Sequence, residues 1–131
     1  MLALAMIALL LAAGSSRTQG MPTAQWPPLK YRFTGWMSAG GGSGPHHAFV
    51  EGDEVVLAFQ DAANERPTPY RVCWSRLDGT NRKCWNRIAR SFRVSTVSTG
   101  GPLLRFGSYV TRWYVGGHVV ASWPFLFHKE R

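Results

Sequence analysis

The chain predicts an all-β fold, a two-layer antiparallel sandwich or barrel, on three observations. Segments rich in Val, Phe, Tyr and Trp alternate with period two, turn signals separate them, and no helix-period stripe exceeds two turns after the first residues. With 131 residues, 45% hydrophobic and 13% aromatic, the chain can bury the core of one domain.

The first fourteen residues, MLALAMIALLLAAG, hold an unbroken apolar run from Leu2 to Ala13. It is too short to span a bilayer as a helix and is followed by small residues, which predicts a signal peptide over 1–14 with cleavage between Ala13 and Ser16. A membrane anchor through an uncleaved leader is the alternative. Residues 15–47 are rich in Pro, Gly and Ser, and AGGGSGP within them reads as a linker or long loop. A first strand, either detached or joined to the rest, is expected at 29–37, and the compact body is expected over 48–131.

In that body EVVLAFQ places Val55, Leu57 and Phe59 on one face. PYRVCWSRL aligns Tyr70, Val72 and Trp74. SFRVSTV sets Phe92, Val94 and Thr96 against Arg93, Ser95 and Val97. SYVTRWYV aligns Tyr109, Thr111, Trp113 and Val115, and HVVASWPFLF aligns Val119, Ala121, Trp123, Phe125 and Phe127. The last two segments constrain their own turn. A two-residue loop at Gly116-Gly117 would set Trp113 opposite Val120 and point the two bulky faces in opposite directions. A three-residue loop over 115–117, with a bulge, pairs Trp113 with Val119 and restores parity.

In FGSYVTRWYV a Gly stands two residues before a Tyr that opens a penultimate strand, and an inward Trp and a final hairpin follow. This pattern resembles the tyrosine corner of immunoglobulin-like and fibronectin type III sandwiches, across about residues 48–127. The resemblance implies an antiparallel immunoglobulin-like β-sandwich of about seven strands, of the kind found in small secreted bacterial proteins. It departs from antibody domains, because neither EVVLAFQ nor SYVTRWYV carries a cysteine for the inter-sheet disulfide. The architecture hosts many functions and implies none in particular.

The two cysteines, Cys73 and Cys84, lie in VCWSRLDGTNRKCW. Centring a hairpin on a type I′ turn at Asp78-Gly79 sets Leu77 opposite Thr80, Arg76 opposite Asn81, Trp74 opposite Lys83 and Cys73 opposite Cys84. Directly opposed thiols in an exported protein predict a structural disulfide that closes a short loop. A zinc site would need two further ligands, and Cys-x10-Cys matches no usual half-site. The register puts Trp74 and Trp85 together on the face opposite the cysteines. If that face is the core, the hairpin is scaffold; if it is solvent, the hairpin is a binding site.

Lys and Arg total 15 against 7 Asp and Glu, a net charge of +8, which favours anionic partners. Seven of the cations fall between Arg71 and Arg93, with Asp78 the one acid among them. Arg71, Arg76, Arg82, Lys83 and Arg87 form the candidate binding surface, with tryptophans interleaved to stack on rings or sugars. No nucleophile elbow, phosphate loop or HExxH zinc motif is present. His46-His47 belongs to a polar loop, and Glu51, Asp53 and Glu54 to a turn before a strand. The sequence therefore predicts a secreted, non-enzymatic binding or adhesion module with no cofactor and no metal. Its partner would be an anionic cell-envelope polymer, a glycan or a secreted protein. Nucleic acid is disfavoured by export, and a membrane would be met only through the leader. A small secreted inhibitor or toxin presenting the stapled hairpin is the alternative, and a secreted hydrolase ranks below it.

Overall fold

A computed structural model of the chain describes residues 32–40, 44–63, 65–91, 93–99 and 105–129; the leader and most of the Pro/Gly/Ser-rich segment lie outside them. The described residues form eight strands: β1 (Phe33–Ala39), β2 (Ala48–Val50), β3 (Val55–Asp61), β4 (Thr68–Arg76), β5 (Lys83–Ala89), β6 (Ser95–Ser98), β7 (Gly107–Val115) and β8 (His118–His128). They build two sheets, one ordered β1-β3-β6 and one ordered β2-β8-β7-β4-β5. The larger sheet is curled into a half-barrel and is mixed, because β2 runs parallel to the end of β8. This corrects the wholly antiparallel expectation.

The core lies between the sheets, and the period-two faces predict most of it. Val55, Leu57 and Phe59 from the smaller sheet are fully buried, as are or nearly are Val72, Trp74, Tyr109, Thr111, Trp113, Phe125 and Phe127 from the larger. Phe59 stacks on Tyr70 at 4.4 Å between ring centroids, and the Thr111 hydroxyl donates to Met37 Sδ at 3.1 Å across the layer. The strand expected over 29–37 sits at Phe33–Ala39. It is not detached: all seven of its residues pair with β3. Its period-two alternation sends Phe33, Gly35 and Met37 inward, and Gly35 lies directly beneath the Trp113 indole. A Cβ at Gly35 would meet that ring at 2.5 Å, so glycine is the residue that permits this approach.

Of the two faces that alternate through SFRVSTV, the one with Val97 is inward: Val97 is buried, Val94 just before β6 is exposed, and Phe92 lies outside the described residues. Val97 stands opposite Leu57, whose side chain is in the core, and directly opposed residues share a face. Pairing with β3 thus selects the inward face of β6. In β8, Val119 likewise faces out while Trp123, Phe125 and Phe127 face in.

Both hairpins of the larger sheet reach the anticipated parity by a different route. Gly116 and Gly117 both have positive φ, 58° and 82°, the signature of a two-residue type I′ loop. Val115 pairs with His118 and Tyr114 with Val119, and a bulge follows, so that Trp113 meets Ala121. The compensating residue is Val120 inside the strand, not a third loop residue. In the β4–β5 hairpin the Arg76 N–H donates to Thr80 O and the Gly79 N–H to Arg76 O, with Gly79 at φ 86°. That is a three-residue loop, Leu77-Asp78-Gly79, in place of the two-residue turn, so Arg76 meets Thr80 and not Asn81. Asn81 then adopts φ 53° and supplies the extra residue that returns Trp74 to Lys83 and Cys73 to Cys84.

Two polar anchors fix the ends. Asp61, buried at the end of β3, accepts from Arg32 Nε at 2.8 Å, from the Thr68 hydroxyl at 2.7 Å and from the Ala63 N–H at 3.1 Å. Burial pushes its pKa up, but these donors and the Arg32 charge outweigh burial and hold it below the ordinary value. On the other flank, the His47 ring stacks on Trp123 with centroids 3.9 Å apart, and Trp123 Nε1 donates to His46 O at 2.7 Å. The two histidines thereby seat β2 against β8.

Candidate functional site

The site is built on the outer face of β4, β5 and β7. Cys73 and Cys84 are joined by a disulfide, with Cα atoms 4.0 Å apart. So close an approach marks a non-hydrogen-bonded pair, which turns the backbone groups of Cys84 toward the open side of the edge strand; by alternation those of Asn86 and Ile88 follow. The register then assigns a face to the cations within the strands. Arg71 stands opposite Asn86 on β5 and Tyr114 on β7, and Arg112 stands opposite Cys73, so Arg71 and Arg112 share the outer face with the disulfide. Arg82 joins them, its Nη2 3.7 Å from Cys73 Sγ.

The predicted five-residue surface is therefore divided. Lys83 is opposite Trp74 and lies on the tryptophan side, where its Nζ sits 5.3 Å from the Trp85 ring centroid. Arg76 shares the parity of Trp74, is half-buried, and packs its guanidinium against the Gly107 backbone. Arg87 is opposite Tyr70, yet from the edge strand its Nη1 donates to Asn86 O at 2.9 Å, which turns it back over the rim. Trp74 is buried and Trp85 half-buried, in edge-to-face contact at 5.0 Å. Both face inward, so the tryptophans are scaffold.

An open groove of about 710 Å³ runs over this outer face, lined by Arg71, Arg82, Arg87, Asn86, Ile88 and Tyr114 together with Pro69, Tyr70 and the Gly116-Gly117 turn. Among the described residues no carboxylate lines it. Among the described residues no ion pair engages Arg71, Arg82, Arg87 or Arg112. Clustered guanidinium groups without counter-charges create a positive potential that a bound anion relieves. Sequence reasoning did not include Arg112 and Tyr114 because β7 lies about forty residues away in the chain; they join through the β4–β7 register. Their signal was the alternation itself, since both fall opposite the inward Trp113 parity.

Among the described residues, no group of three or more His, Cys, Asp or Glu is placed to hold a metal ion. No helix among them is long and apolar enough to cross a membrane. No model of a known protein family matches the chain, and no curated protein matches it.

Proposed function

We propose that this is a secreted, non-enzymatic binding module of immunoglobulin-like architecture, which engages an anionic envelope polymer, glycan or secreted protein with the outer face of its larger sheet. One observation carries the binding reading: Arg71 of β4, Arg112 of β7 and Arg82, just before β5, lie on the face that bears the disulfide, and among the described residues no acid forms an ion pair with them. The two-sheet strand order and the Tyr109 hydroxyl, which donates to Arg105 O at 2.6 Å four residues upstream, support the immunoglobulin-like reading. The disulfide fits an oxidising compartment, and with the apolar leader it supports export.

The test is co-sedimentation of the mature protein with purified cell-envelope polymers at rising salt. Binding is expected to fall steeply with salt and to weaken in R71Q/R112Q. Turnover of a substrate, or salt-independent indifference to every anionic polymer, would overturn the proposal. The inhibitor reading keeps one specific observation in its favour, the exposure of Leu77 at the stapled tip. Capture of a secreted enzyme that is lost in Leu77→Ser, with R71Q/R112Q silent, would favour it instead.

A further inference from the structure

We infer that the outer-face groove takes a short run of a carboxylated polysaccharide, two or three uronic acid units, with arginines on the carboxylates and Tyr114 and Ile88 against the sugar faces. This rests on the anionic-partner reading above and names the ligand class at the same site.

Size gives the first constraint. A groove of about 710 Å³ falls within the range of small-ligand sites, roughly 300–1,000 Å³, which suits a few sugars and not a nucleic-acid duplex or a folded domain. Lining chemistry gives the second. Arg71, Arg82 and Arg87 offer planar forks that match a carboxylate with two parallel N–H donors. Simple charge capture would need nothing more, yet the groove also contains Tyr114, Pro69 and Ile88, the last of them exposed despite being aliphatic. A pyranose has C–H faces that pack on such surfaces and hydroxyl groups that pair with an amide, and Asn86 supplies one. A polyphosphate has no apolar face to use them.

The shape of the groove's end gives the third constraint. Gly116 and Gly117 border it without side chains, and nothing lies within 4 Å of where a Cβ would stand on either. A polymer entering between the arginines can therefore continue past the turn, so the groove fits an internal segment as well as a chain end. The disulfide preorganises it: Arg82 rests on Cys73 Sγ, and the crosslink ties β5, which bears Arg87 and Ile88, to β4, which bears Arg71.

The decisive experiment titrates the mature, oxidised protein with a trigalacturonate, its methyl ester and a short polyphosphate of equal charge. The uronate is expected to bind, with the ester weaker by about tenfold or more for want of charge-assisted hydrogen bonds, and the polyphosphate weaker because it has no apolar face to set against Tyr114 and Ile88. R71Q and R82Q should each weaken uronate binding and reduce its dependence on salt. Tyr114→Ala should weaken binding about fivefold with the salt dependence unchanged, while Tyr114→Phe, which keeps the ring, should bind like the parent. Ile88→Ser, at an exposed position, repeats the test of the apolar surface if Tyr114→Ala unfolds. Equal binding of ester and acid, equal binding of polyphosphate, or indifference to both Tyr114→Ala and Ile88→Ser would overturn the inference. If polyanions still bound with salt dependence, the broader proposal would survive that result; if no polyanion bound at any salt, both would fall.

Discussion

The two long hairpins of the larger sheet solve the same problem with different means. In β7–β8 both strands are interior to the sheet and both feed the core: Tyr109, Thr111 and Trp113 from one, Phe125 and Phe127 from the other. In β4–β5 the second strand is an edge, and Ala89 is its one fully buried residue. The hairpin with two core-bearing strands carries no crosslink, whereas the hairpin with a poor second strand carries the disulfide. The crosslink thus sits where burial holds least, and the surface it holds in place is the one bearing the groove.

This contrast is broken most severely by Trp113→Ala. Removing a fully buried indole that roofs Gly35 should cost about 3–5 kcal/mol and lower the global midpoint of denaturant unfolding. Opening the disulfide in Cys73→Ser/Cys84→Ser ranks next. A closed loop spanning 11 residues of separation is worth about 2–3 kcal/mol on the chain-entropy model. Amide exchange should accelerate in Lys83–Ala89 and far less in His118–His128; equal acceleration in both would show that the hairpins do not differ as argued.

A third, smaller effect concerns the base of β4, whose first residue, Thr68, donates to Asp61. The Asp61 pKa is depressed on folding, so its contribution is present above the unfolded value of about 3.9 and is lost as pH falls through the lower folded value. Acid titration of stability should therefore show a loss in that window, flattened in Asp61→Asn, which itself should cost about 1–2 kcal/mol at neutral pH. Smallest is the pair Gly117→Ala and Gly79→Ala, each about 1 kcal/mol because both positions have positive φ. The β7–β8 substitution should cost the same with or without reductant. The β4–β5 substitution should disturb the register detectably by NMR only after reduction.

Much of the fold was legible because burial on one face imposes period two, and Val55/Leu57/Phe59, Tyr70/Val72/Trp74 and Tyr109/Thr111/Trp113 all obey it. The opposed cysteines were legible too, although the turn that opposes them was not. Turn type and bulge position trade against each other: a residue added in the loop or inside the strand gives the same downstream parity, as Asn81 and Val120 each demonstrate. Parity is a sum, and sequence reports the sum more readily than its terms. The division of the candidate surface between two faces is more instructive. Lys83 stands opposite Trp74 in the very register the cysteines set, so its absence from the cysteine face was already implied. Arg112 and Tyr114 required knowing that β7 neighbours β4, a long-range pairing that local pattern does not encode.

The Arg87 contact with the Asn86 carbonyl bears on the open edge of the larger sheet. An edge strand with outward backbone groups invites pairing with another copy of itself, and natural proteins discourage this with charge along the rim. Here Arg87 occupies one of those outward carbonyls, while Arg82, Lys83 and Arg87 give any approaching copy of β5 the same positive sign. A second copy of the rim would thus meet it with like charge along the strand, which disfavours edge-to-edge pairing.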